Sequence, residues 1–166
     1  MPAKLKTYAS DKDVKHFEDI NRLYIRAGAH SRARSRKEGE KTRHIEAFLL
    51  QAALLEGVLV SLGLKSLEKR LDLSALEGKR KKQYRLDNVI NDLYLLGDIN
   101  TDEFKKLEQF KAKRNVYIHN LLSDDVETVE VKVLHIYKEY DDLVRTMIKL
   151  LKKKIGRIPK IKILKI

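Results

Sequence analysis

The sequence predicts an all-α fold, organised as a single-domain helical bundle. Three observations lead there. The only prolines are Pro2 and Pro159, so the long span between them lacks the residue that breaks helices. Apolar residues recur at steps of three and four over several long stretches, the spacing of a helix with one buried face. The connections between those stretches are short, as between antiparallel neighbours in a bundle. A chain of 166 residues is long enough for one domain with a real core.

The first helix is expected from about Asp11 to Ala27. The segment GAHSRARSRKEGE (28–40) has no periodicity and reads as a basic loop. The stretch IEAFLLQAALLEGVLVSLGL (45–64) is the most apolar of the chain, yet it contains Glu46, Gln51 and Glu56. It is expected as a buried helix, from about Thr42 to Leu62, in preference to a membrane span. Residues 66–77 and 81–96 read as shorter helices around EGKRKK. Leu86, Val89, Ile90, Leu93 and Leu96 form the apolar stripe of the second. Glycines at 28, 39, 63, 78, 97 and 156 are taken as punctuation.

The turn GDINTDEF (97–104) is the best-marked boundary. Gly97 can end one helix in a left-handed conformation. Asn100 can cap the next, with Glu103 in the reciprocal capping-box position and Ile99 and Phe104 at the staple positions. The following helix should therefore start near Thr101. The last long segment has a plausible cap at Ser123. Val126, Val129, Val133, Ile136, Tyr140, Leu143, Met147 and Leu150 form a helical seam. Residues 128–134 also alternate like a strand, but the length of the seam favours helix. The tail GRIPKIKILKI reads as a strand-like arm or as disordered. The expected organisation is an N-terminal helix and basic loop (1–41), the bundle proper (42–155) and a basic apolar tail (156–166).

The formal net charge is +12, which favours a polyanionic partner such as nucleic acid. With no cysteine there is no disulfide, no thiolate zinc site and no cysteine nucleophile. No HExxH, P-loop or GxGxxG occurs. The histidines at 16, 30, 44, 119 and 135 offer no metal-ligand pair on one helix, so neither metal nor cofactor is expected. The N-terminal residues lack an apolar stretch of signal-peptide length, and a cytoplasmic protein without a membrane partner is expected. Two basic runs could track an RNA backbone: Arg32, Arg34 and Arg36 in HSRARSRK, and Lys79, Arg80, Lys81 and Lys82 in KRKK. Taken alone, each reads somewhat better as a solvated surface, and neither has interleaved aromatics for base stacking.

The most informative stretch is FKAKRNVYIHNLL (110–122). On a helical wheel Phe104, Leu107, Phe110, Ile118 and Leu121 share one arc, and Arg114 falls in the middle of it. Lys111 lies near the edge of that arc. Asn115 and His119 sit at the arc's edge, one turn apart. Lys105, Lys106, Gln109, Lys113 and Asn120 occupy the opposite side. A guanidinium on an apolar arc must find a carboxylate, a ligand phosphate or a wet interface, because burying it unpaired costs several kcal/mol. A structural ion pair with Glu46 or Glu56 and a functional role both remain open.

RNVYIH, with Arg114, polar Asn115 and then His119, resembles the motif of the HEPN superfamily, the helical domains named for higher eukaryotes and prokaryotes nucleotide-binding. The approach LYLLGDI and DEFKKLEQFKAKRNVYIH is similar to that of small stand-alone members. So is the preceding apolar helix with its embedded glutamate, LLQAALLEGVL. The likeness covers roughly residues 42–152.

The resemblance implies a HEPN-like bundle acting as a homodimer, in which two motif helices meet near a two-fold axis over the 104–121 arc. It implies a metal-independent endoribonuclease, a toxin or antiviral-defence effector, cutting single-stranded RNA. His119 would move protons and Arg114 would hold the phosphate. Asn115 would bond the phosphate or orient His119. The chemistry suits those groups, since RNA carries its own 2′-hydroxyl nucleophile. The product would be a 2′,3′-cyclic phosphate. An antitoxin or activator protein is an implied partner. Some members are controlled by nucleotidylation of a tyrosine two residues past the histidine, and here that position is Leu121. The alternatives are a non-catalytic HEPN-like domain binding RNA or nucleotide, and a helical interaction subunit in which Arg114 only pairs with an acid.

Overall fold

The computed structural model describes residues 9–32, 42–68, 70–120 and 123–156. Among them are six α-helices and one 3-10 turn, with no strand. The helices are α1 (Asp11–Arg32), α2 (Arg43–Glu68), α3 (Ser74–Lys82), α4 (Leu86–Leu95), α5 (Thr101–Asn120) and α6 (Val126–Ile155); the 3-10 turn is Leu71–Leu73. The expected all-α bundle is present, and the strand-like stretch 128–134 is helical.

Helix α2 is the centre of the molecule, packed by α1, α3, α4 and α6. Phe48, Leu55, Val58, Leu59 and Leu62 are sealed from solvent. It is the one helix among the described residues long and apolar enough to cross a membrane, and its apolar length is spent on the core. The first residues of α2 are capped from a distance. Buried Glu130 of α6 accepts the backbone N–H groups of His44 and Ile45, both at 3.0 Å, and contacts His44 Nδ1 at 2.8 Å. Two of the donors that every helix start leaves unpaired are thereby satisfied. Helix α1 belongs to the same core, through Phe17 and Ile20.

Several boundaries differ from those expected. Gly28–Arg32 continue α1 as helix, because buried Ala27 and the His30–Glu46 contact (2.9 Å) hold this turn against α2. The rest of the expected basic loop, with Arg34 and Arg36, lies outside the described residues, as do Leu121 and the tail after Gly156. Helix α2 runs on to Glu68, straight through Gly63. That glycine is a contact residue: a Cβ there would stand 2.5 Å from the Tyr84 hydroxyl and 2.8 Å from its ring. EGKRKK lies within α3 instead of between helices. The cap of α6 is Asp125, whose carboxylate accepts from Thr128 N at 3.0 Å, and not Ser123. The seam of α6 is buried from Val129 to Met147, with Val126 exposed and Leu150 half-buried.

The turn before α5 forms as read. Gly97 has φ +72°. Asn100 N donates to Glu103 (2.8 Å) and Glu103 N donates to Asn100 Oδ1 (2.9 Å), closing the capping box. Ile99 is buried and Phe104 packs against the core.

Candidate functional site

The capped start of α5 fixes which way its faces point. Leu107 and Phe110 are buried, and the Phe110 ring lies 5.2 Å from that of Tyr140 and 6.5 Å from that of Phe48. Two turns of the apolar arc are therefore consumed by the chain's own core. Tyr117 and Ile118 continue it, only partly buried. The face expected to meet a second copy over 104–121 narrows to the far half of the helix, where Asn115 and His119, at the edge of the arc, are exposed.

Arg114 sits where the arc leaves the core. Its guanidinium donates to Glu56 of α2 at 3.0 Å and to Asn115 Oδ1 at 3.2 Å. Its Nε is buried without an acceptor. A donor left so costs about 1–3 kcal/mol, so two partners do not satisfy this group. The Glu56 partner is one of the two acids expected from sequence; Glu46 instead faces His30. His119 is exposed and bonds to no described residue. Five residues along a helix correspond to about 7.5 Å of rise and about 140° of rotation, so Arg114 and His119 do not face each other within one chain. Asn115 links them: it touches Arg114 and shares the face of His119 one turn on.

The lysines around the site are mostly engaged. Lys113 donates to both oxygens of Glu139 (2.6 and 2.7 Å) and stands 5.1 Å over the Tyr140 ring. Its hydrogen bond holds the Glu139 carboxyl below its ordinary pKa, while Lys113 itself is raised. Lys111, at the edge of the arc as read, joins Asp87 (2.5 Å) and Glu108 (2.7 Å). Among the described residues no group of three His, Asp or Glu side chains is placed to hold a metal ion.

The second basic run is divided by the fold. Arg80 turns inward, with two bonds to Asp92 (2.9 and 3.3 Å) and its guanidinium 5.5 Å from the Tyr84 ring centre. It is thereby withdrawn from any surface track. Lys81 pairs with Glu77 at 2.5 Å. Lys79 and Lys82 remain exposed on the last turn of α3. Arg32 ends α1, exposed, in a separate cleft against α6.

That cleft was not foreseen. Tyr24 of α1 donates to Asp141 (3.0 Å) and accepts from Arg145 Nε (2.5 Å), both on α6. The Asp141–Arg145 spacing of four is visible in the sequence. The partnership with Tyr24, more than a hundred residues away, has no local signal. No family model matches this chain, and no curated protein or solved structure does either.

Proposed function

We propose that the protein is a HEPN-like, metal-independent endoribonuclease. In this reading it cuts single-stranded RNA by attack of the 2′-hydroxyl, leaving a 2′,3′-cyclic phosphate and a 5′-hydroxyl. The observation that carries the reading is the half-open end of α5, where an incompletely satisfied Arg114 adjoins an Asn115 that shares a face with His119, which has no partner among the described residues. The guanidinium stabilises charge on the phosphate oxygens, and the imidazole takes or gives the proton. Because the two side chains point apart on one helix, the reading needs a homodimer. A two-fold axis beside Asn115 supplies two arginines and two histidines to one cleft. A toxin or antiviral-defence role in the cytoplasm, held in check by an antitoxin or activator, belongs to the same reading.

The test is cleavage of a labelled single-stranded RNA by the purified protein, with and without EDTA. The expected result is EDTA-resistant cleavage, cyclic phosphate ends, and no cutting where the sugar at the scission site is 2′-deoxy. Light scattering at micromolar concentration should give a dimer. A strict monomer, or cleavage dependent on Mg²⁺, would remove the composite site.

A second reading is favoured by one specific contact, the 3.0 Å ion pair of Arg114 with Glu56. In it Arg114 only ties α5 to α2, and the protein is a helical interaction subunit. A tightly co-purifying protein together with absence of RNA cleavage would select this alternative.

A further inference from the structure

The cleft between the second half of α1 and the middle of α6 has a composition that the fold does not require. It encloses about 390 Å³, within the range of small-molecule sites, roughly 300–1,000 Å³. Its floor is the backbone of Gly28, where a Cβ would stand 3.6 Å from the Arg32 guanidinium. Arg32 thus folds back over its own helix instead of extending away. Arg145 faces the same space from α6, oriented by three contacts. Its Nε bonds Tyr24, its second nitrogen reaches Asp141 at 2.6 Å, and its guanidinium lies 6.0 Å from the Tyr24 ring centre.

Donors and acceptors around this space are unequal. Asp141 uses one oxygen on Tyr24 and the other on Arg145. The Tyr24 hydroxyl has already donated and accepted. Ser31 donates to the Gly28 carbonyl at 2.9 Å. Burial pushes the Tyr137 phenol above its ordinary pKa, so its proton stays in place. The remaining hydrogen-bonding capacity is chiefly guanidinium N–H: two of the five on Arg145 are spent, and Arg32 bonds to no described residue. One positive charge is left over once Asp141 is set against Arg145. A group made only of acceptors and carrying negative charge fits that surplus.

We propose that this cleft is a binding site for the phosphate of a small phosphomonoester, gripped between Arg32 and Arg145. Helices α1 and α6 supply the lining named above, so the site stands independently of the α5 reading. A half-open cleft of this volume admits a terminal phosphate with a small body. The Tyr24–Asp141–Arg145 network holds one guanidinium in place before the ligand arrives, which reduces the ordering that binding requires.

The experiment is calorimetric titration of the full chain with phenyl phosphate and with inorganic phosphate, at low salt, beside titration with a single-stranded RNA of about ten nucleotides. Saturable one-to-one binding of phenyl phosphate is expected. Arg32→Gln, at an exposed helix end, should weaken it about tenfold, the order of one charge-assisted hydrogen bond. Gly28→Asp sets a carboxylate on the cleft floor beside Arg32 and should abolish it. Far-ultraviolet circular dichroism should show both variants as helical as the parent. If phosphomonoesters do not bind at millimolar concentration, or bind both variants as well as the parent, the proposal is wrong. It is equally overturned if only the RNA binds, because the cleft is then part of a polyanion track.

Discussion

The two halves of α5 make opposite uses of one helix. From Asn100 to Phe110 nearly every choice serves the fold: a closed capping box, a staple, and two side chains sealed in the core. From Arg114 to His119 the same face opens. Arg114 is half-buried, Asn115 and His119 at the edge of the arc are exposed, and His119 has no described partner. The first half resembles any well-made core helix. The second leaves a guanidinium donor unsatisfied, which costs stability.

The comparison predicts that substitutions in the two halves separate activity from stability. The largest effect is on the open half. His119→Ala and Arg114→Ala should each lower RNA cleavage on the order of a hundred- to ten-thousand-fold. His119→Ala should leave the urea unfolding midpoint almost unchanged. Cleavage persisting in pure His119→Ala protein would end its assignment as the proton-transfer group. Next in size is Phe110→Ala in the closed half. Removing a ring that touches Phe48 and Tyr140 should cost about 3–5 kcal/mol in denaturant unfolding. A loss below about 1 kcal/mol would mean that the closed half is not closed.

What could be read from sequence follows the same division. The closed half was legible to the residue, because a capping box, a staple and an apolar arc are local patterns between neighbours in the chain. The Asp11 and Thr101 helix starts fell where expected. The errors came where distant residues decide. Gly28 and Gly63 look like breaks in sequence, but packing against α2 carries α1 through the first, and the Tyr84 ring occupies the space that a side chain at Gly63 would need. Arg80 looked like part of a cationic surface until Asp92, twelve residues on, turned it inward. In the open half, sequence singled out Arg114, Asn115 and His119 as candidates and offered Glu46 or Glu56 as the acid. Choosing Glu56 required the crossing of α5 over α2. The α1–α6 cleft could not be read as a site, since Tyr24 and Arg32 are joined to Asp141 and Arg145 only by the fold.

A smaller effect sharpens the closed half. Asn100→Ala removes the acceptor that holds Glu103 N and should cost about 0.5–2 kcal/mol. Cleavage by the folded fraction should be unchanged, because the cap lies several turns from His119. Hydrogen exchange should show the first turn of α5 fraying while the amides around Phe110 stay protected. Loss of protection along the whole helix would mean that the two halves are a single cooperative unit.

The smallest expected effect decides most about the open half, because Glu56 bears on both readings of Arg114. Glu56→Gln keeps the size of the side chain and an oxygen within reach of the guanidinium, and removes only the charge. The Arg114 side chain is 29% exposed and that of Glu56 39%. An ion pair open to water to that degree is worth about 0.2–1 kcal/mol and is screened by salt. The expected change in unfolding free energy is therefore below about 1 kcal/mol, shrinking further in 1 M salt. Cleavage should survive, with altered affinity for RNA, since the carboxylate and a phosphate compete for one guanidinium. A loss of about 3 kcal/mol or more, of the size found when a buried pair is broken, would mean that α5 and α2 close over this contact in solution. The charge of Arg114 would then be committed to the fold, and the open half of α5 would be structural after all.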